Sequence, residues 1–282
     1  MNRILAIFIW LAATATSVLF MSGRWWFPPL ASAQGVAIDQ QFALTFAVIG
    51  VAFVMTQIAL GFAVWRYGAT SDAPAAQSAG NNRLEIFWTA ATAFVFIALA
   101  VLGQRVWLNL RGEEAPADAV RVEVWGQQFQ WYFHYAGADA RMGRTRAELI
   151  SDAGGNPVGL DRASDPLAKD DIVAPTLVLP LNRPTELILH ARDVTHSLWL
   201  PNLRFKQDAV PGLQVRAILT ATAPGLYDVA CAELCGQQHY KMKAQLLVLP
   251  DADFRALMSL PPDQWPAKRD EFVQRYAASP PP

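Results

Sequence analysis

Twelve residues near the end of the chain, Cys231-Ala-Glu233-Leu-Cys235-Gly-Gln-Gln-His239-Tyr-Lys-Met242, lie between two short β-like runs, Leu226-Tyr-Asp-Val-Ala230 and Ala244-Gln-Leu-Leu-Val-Leu249. Similar runs of β-branched and aromatic residues, bounded by turn residues, recur at 120–125, 128–135, 176–179, 185–190 and 215–220. Alternation with regular turn signals predicts a β-sandwich or barrel and argues against a βαβ unit. Residues 137–174 interrupt the pattern. They are rich in Gly, Asp and Arg with little periodicity, and read as a long surface loop, a solvated insertion more than a donor surface. Residues 252–278 read as one or two exposed helices broken by Pro261-Pro262, followed by a Pro-rich tail.

The twelve-residue loop holds both cysteines of the chain. Thiolate, imidazole and thioether at these spacings form a soft sulfur–nitrogen set, which suits copper better than magnesium or calcium. A second histidine, His196, sits in Arg192-Asp193-Val-Thr-His196-Ser-Leu-Trp-Leu-Pro201 after a strand-like run, so a distant strand end can close on the same site. The competing reading of two cysteines outside the cytoplasm is a disulfide. A bond across three residues would close a small loop and constrain the unfolded chain little. With His239, Met242 and the remote His196 in place, a metal site is the stronger reading.

The first 111 residues are of another kind. They contain six basic and three acidic side chains, net +3, whereas residues 112–282 contain 17 and 21, net −4. Three stretches, 4–23, 40–65 and 86–104, carry no charge, and each is long enough to cross, or nearly cross, a hydrocarbon core of about 30 Å. Trp65-Arg66-Tyr67 suits an interface, and the segment between Trp65 and Arg83, with Gly68, Ser71, Pro74 and Gly80, reads as a hairpin turn. Arg3, a hydrophobic run and Ala31-Ser32-Ala33 read either as a secretory leader cut before Gln34 or as an extra transmembrane helix. In both cases Arg3, Arg66 and Arg83 fall on the cytoplasmic side and residues beyond about 112 on the other. The partition excludes a uniformly soluble enzyme, a basic nucleic-acid binder and an all-helical transporter. The expectation is a membrane-anchored all-β chain: leader or helix at 1–33, helical hairpin at 34–111, β-domain at 112–250 and helical tail at 251–282.

The pattern C-x-E-x-C-x3-H-x2-M, with upstream His196-Ser, Pro201, Lys206, Asp208 and Pro211-Gly212, resembles subunit II of the cytochrome c oxidases, the heme-copper oxidase subunit that carries the binuclear copper centre CuA. The resemblance covers nearly the whole chain and implies a cupredoxin-like fold for the β-domain. It implies that Cys231 and Cys235 bridge two coppers, that His196 and His239 each ligate one, and that Met242 adds a weak thioether and Glu233 its backbone carbonyl. Shared soft ligands in a rigid β framework suit an electron relay better than oxygen chemistry.

Further roles follow from the same resemblance. The Glu233 carboxylate would help bind a magnesium shared with subunit I, as a hard oxygen ligand can. Trp131, in Gln130-Trp131-Tyr132-Phe133, matches the tryptophan through which electrons enter, although Phe133 stands where the family usually has a second Trp. Aromatic residues also favour strands on packing grounds alone. Asp193 matches an acidic residue that attracts cytochrome c, and a net −4 would steer a basic donor. Glu85 matches the Glu at the cytoplasmic mouth of a proton pathway into subunit I; Asn82 as helix cap with Glu85 three residues later is the local alternative. The implied partners are subunit I with its heme and copper, subunit III, cytochrome c and the lipid bilayer, with no nucleic acid. The implied location is a bacterial inner membrane with the CuA domain on the periplasmic side. No C-x-x-C-H occurs, so the donor heme is on a separate protein. A quinol-oxidase subunit II is disfavoured by the retained ligands. A membrane-anchored copper carrier and a disulfide-bonded structural domain are the readings from other classes.

Overall fold

The computed structural model describes residues 2–23, 26–67, 80–111 and 114–278. The expected hairpin turn, apart from Gly80, and the end of the Pro-rich tail lie outside the described residues. The chain divides into two compact units, Met1–Trp26 with Ala37–Leu108 and Phe27–Val36 with Asn109–Pro282.

The first unit is built from three helices, α1 (Asn2–Met21), α2 (Gly35–Tyr67) and α3 (Asn82–Arg111). Their most apolar windows have mean hydropathies of 2.3, 2.2 and 2.2, long and apolar enough to cross a membrane. Large side chains such as Phe8, Val51, Met55, Phe94 and Phe96 are exposed, a surface suited to lipid and not to water. Helix α1 packs on α2. The Trp10 indole occupies the space that a side chain at position 61 would fill, donates to the carbonyl of Ile58 and stacks on Trp65 at 5.9 Å. Helix α3 is capped by Asn81, whose side-chain oxygen accepts the Leu84 N–H at 3.2 Å. The cap thus falls one residue before the expected Asn82.

The second unit is a sandwich of two five-stranded sheets. One runs β3 (Ile172–Ala174), β2 (Gln130–Tyr135), β1 (Val120–Gln127), β5 (Thr185–Ala191), β8 (Val215–Leu219). The other runs β4 (Thr176–Pro180), β10 (Lys243–Leu249), β9 (Gly225–Cys231), β6 (His196–Leu200), β7 (Phe205–Ala209). Pairing is antiparallel except for β1 with β5 and β4 with β10. Period-two alternation turns Val122, Val124, Trp131, Phe133, Leu187 and Leu189 into a buried core with residues of the second sheet. The tail forms α4 (Asp251–Met258) and α5 (Trp265–Ala277) on either side of the expected proline break. These helices are not wholly exposed: Phe254, Leu257, Trp265 and Phe272 are buried in the same core, because each helix is amphipathic.

Two segments depart from the sequence reading. The 137–174 stretch is folded and not simply solvated: it crosses the outer face of β1 and β2, with Val158, Leu160 and Ala168 packed on Trp125, Tyr132 and Val173. Internal bridges, Thr145 to Leu160 and Ser151 to Asn156, shape it, and its end becomes β3. The other is the link between α1 and α2, which forms an edge strap on the sandwich. Ala31 and Ser32 are 1% exposed. The Ala31 N–H donates to Asn202 at 2.8 Å, the Thr222 N–H donates to the Ala31 carbonyl at 2.9 Å, and the Ser32 hydroxyl donates to the Leu203 carbonyl at 2.7 Å.

Candidate metal centre

The site lies at one end of the second sheet. Cys231 is the last residue of β9 and pairs with Leu198 of β6, whose first residue is His196. The chain then leaves the sheet through Cys235 and a one-turn helix, His239–Lys241, and returns at Met242 to begin β10. A backbone bond closes the loop, from the Cys231 N–H to the Met242 carbonyl at 3.1 Å. Gly236 has φ of +135°, a backbone region that favours glycine, and a side chain there would meet Gln128 and Phe129.

The five side chains expected to converge do so. The two Sγ atoms are 3.9 Å apart, His196 Nδ1 is 4.0 Å from Cys231 Sγ, and His239 Nδ1 is 3.6 Å from Cys235 Sγ. Met242 Sδ is 3.7 Å from Cys235 Sγ, and the Glu233 carbonyl oxygen is 3.2 Å from Cys231 Sγ. Both cysteines are free thiols; a disulfide would hold the sulfurs at about 2.05 Å. An S···S span of 3.9 Å is shorter than two metal–thiolate bonds of about 2.3 Å each. An ion on either side can therefore reach both sulfurs, so the donor set fits soft metal ions bridged by thiolates. His196, Cys231, Cys235 and Met242 are all buried, which gives a fixed, water-poor pocket.

The electrostatics favour metal binding. Burial raises the Cys231 thiol pKa, but hydrogen bonding with His196 and with backbone groups of Ser197 and Glu233 outweighs it and pushes the thiol down. Burial and the adjacent Cys231 charge push Cys235 up. A bound cation would displace the remaining thiol proton.

The remaining expected residues fall as follows. Trp131 has no exposed surface and meets the His196 ring edge-on at 5.9 Å, so it lies beneath the surface and not on it. Asp193 is not a free surface carboxylate: its Oδ1 lies 2.8 Å from His196 Nε2, and its Oδ2 accepts the Gln128 N–H at 2.7 Å. Glu233 is exposed, and Glu85 is an exposed residue in the first turn of α3. Two contributors were not foreseen. Gln128 donates through Nε2 to the Cys235 carbonyl at 2.5 Å. At Gly126 a Cβ would lie 3.0 Å from both His196 and Trp131. Neither carries a soft metal-binding atom, and Gln128 lies in the turn between β1 and β2, where strand parity does not apply.

Fold and site together define a membrane-anchored, cupredoxin-like domain with a buried thiolate–imidazole–thioether metal site. The family described as cytochrome C oxidase subunit II, periplasmic domain, matches residues 120–248, and its transmembrane domain matches residues 21–106. The chain belongs to the subunit II family of cytochrome c oxidases. It is 34% identical over 253 residues to the alternative cytochrome c oxidase subunit 2 of Bradyrhizobium diazoefficiens, covering 89% of each chain. It is 28% identical over 271 residues to the subunit 2 of a Synechocystis species, covering 86% of this chain and 78% of that one. Among solved structures, the periplasmic domain of subunit II from Bradyrhizobium japonicum is similar at 22% identity and a TM-score of 0.38, over 56% of this chain and 99% of that domain.

Proposed function

We propose that this subunit accepts single electrons from a cytochrome c at a binuclear CuA centre and relays them to the heme of subunit I, where oxygen is reduced to water and protons are pumped. One observation carries the reading: two free, buried thiols 3.9 Å apart, each with a histidine Nδ1 within 4.0 Å. When bound, the two coppers supply a one-electron redox couple. Cys231 and Cys235 would bridge them, His196 and His239 would bind one each, and Met242 and the Glu233 carbonyl would complete the set.

The chain's own residues supply rigidity. His196 and Cys231 are anchored on paired strands and His239 on a hydrogen-bonded turn, so the ligands move little when the charge changes by one. Burial excludes water and side reactions at the thiols. Trp131, in edge contact with His196, offers an aromatic path between the ligand and the surface above it. Buried, strand-anchored ligands suit a resident cofactor better than cargo to be handed on, which speaks against a copper carrier.

The finer assignments belong to the same proposal. The exposed Glu233 carboxylate would contribute to a magnesium at the boundary with subunit I, Glu85 would open a proton route into that subunit, and subunit III would complete the assembly. The topology would place the copper domain on the periplasmic side of a bacterial inner membrane. Rapid mixing of the assembled oxidase with reduced cytochrome c tests the relay. Copper reduction that precedes heme reduction supports it, and heme reduction at an unchanged rate in a Cys231→Ser oxidase would refute it.

A further inference from the structure

We infer that Asp193 is a positioning residue for the His196 ligand, and that with Gln128 it forms a bracket holding that histidine, the β1–β2 turn and the cysteine loop in one register. The inference rests on the CuA reading above and gives Asp193 a task other than attracting a donor protein.

An ionised carboxylate only accepts hydrogen bonds. The 2.8 Å contact between Asp193 Oδ1 and His196 Nε2 therefore places the ring hydrogen on Nε2. Nδ1, 4.0 Å from Cys231 Sγ, is then the nitrogen left to meet a metal bound by the thiols. The same carboxylate is fixed by two backbone amides, Val194 N–H to Oδ1 and Gln128 N–H to Oδ2, both at 2.7 Å. Gln128 then reaches the other side of the site, its amide nitrogen 2.5 Å from the Cys235 carbonyl. A side chain with all these partners has little freedom to turn outward toward a docking protein, and only 33% of it is exposed.

The arrangement is one-sided. Among the described residues, the outer nitrogen of His239 has no such carboxylate, and His239 itself is only half-buried. A fixed negative charge hydrogen-bonded to one imidazole makes that ligand the stronger donor and stabilises the more oxidised metal. The two ends of the site are thereby made unequal.

The test uses the assembled oxidase carrying Asp193→Asn, Asp193→Ala or Gln128→Ala. The readouts are the reduction potential of CuA, the nitrogen hyperfine coupling of its histidines, copper retention against a chelator, and the salt dependence of cytochrome c oxidation. In Asp193→Ala the potential rises, the coupling of one histidine changes and copper affinity falls by about 10–100-fold, as for other partners of metal-bound histidines. Asp193→Asn keeps an acceptor oxygen, so it retains copper while its potential still rises; it also decides the matter if the alanine variant fails to assemble. Gln128→Ala loosens copper without altering the salt response. Potential and coupling unchanged in both Asp193 variants, with a flattened salt dependence, would overturn the inference in favour of docking. A wild-type oxidase without a two-copper signal would instead overturn the function it rests on.

Discussion

Gly126 shows how little of a metal site need consist of ligands. A methyl group at this position would sit 3.0 Å from both the His196 and Trp131 rings, tighter than ordinary contact, and neither ring can retreat because both are wholly buried. Gly126→Ala is expected to cost about 1–3 kcal/mol by overpacking and to displace His196 from its metal-binding position. Thermal unfolding with copper analysis checks this: a lower Tm with reduced copper content is the expected result, and wild-type values for both would show that the rings have slack. The ligands themselves were readable in the sequence because four of them sit in one twelve-residue loop with unusual atom types. Trp131 shares parity on β2 with buried Phe133 and Tyr135, so its burial was legible from alternation. The contact of Asp193 with His196 was not legible, because no sequence pattern reveals that a carboxylate three residues before a histidine will turn back onto its ring.

The 137–174 segment escaped the reading for a different reason. Three of its buried apolar residues, Val158, Leu160 and Ala168, follow no helical or strand period, so only the tertiary structure discloses the small core they make. A buried ionic clamp fastens the segment to the sheet. His134, without exposed surface, lies between Glu123 at 2.9 Å and Asp171 at 2.6 Å. Burial opposes its charged form, but the hydrogen bonds to Asp171 and Glu123 outweigh that and push its pKa up to about 9 from an ordinary 6.5. A raised folded-state pKa gives stability that is complete below the unfolded value and lost as pH passes the folded one. The clamp should therefore contribute fully below about pH 6.5 and fade toward pH 9, by about 3 kcal/mol at most. Denaturation at pH 6.5 and pH 9 in wild type and His134→Gln tests it: the wild type should lose stability over this interval and the variant should lose much less. Equal losses in the two proteins would exclude His134 as the cause. The edge strap has its own consequence. Ala31-Ser32-Ala33 read as a cleavage sequence, yet Ala31 and Ser32 are buried and all three residues are hydrogen-bonded to the sandwich. A subunit cut before Gln34 would lose them. Intact mass of the assembled subunit is expected to include residues 27–33, and a mass beginning at Gln34 would contradict the strap's place in the mature fold.

At the level of the whole chain, a formal charge of −1 conceals a division of labour. The helices carry almost no charge because lipid-facing positions exclude it, and the sandwich carries the acidic excess. Phe27–Val36, between α1 and α2, and the residues after α3 belong to the same compact unit. The long apolar spans and the alternating strands were legible because their periods are strong, whereas β3, β6 and β7 were not; β6 is buried at four of its five positions without alternation. Strand β3 has three residues, and in β7, Phe-Lys-Gln-Asp-Ala, only the two end residues are fully buried. All these features serve to hold six residues in one place, and whether those six make a two-copper electron relay is open to a single measurement. Electron paramagnetic resonance of the oxidised, assembled oxidase, with copper quantified in the same sample, should show one unpaired electron shared between two coppers bound to this subunit. A spectrum localised on a single copper, or a subunit without copper and with its two thiols joined, would contradict it.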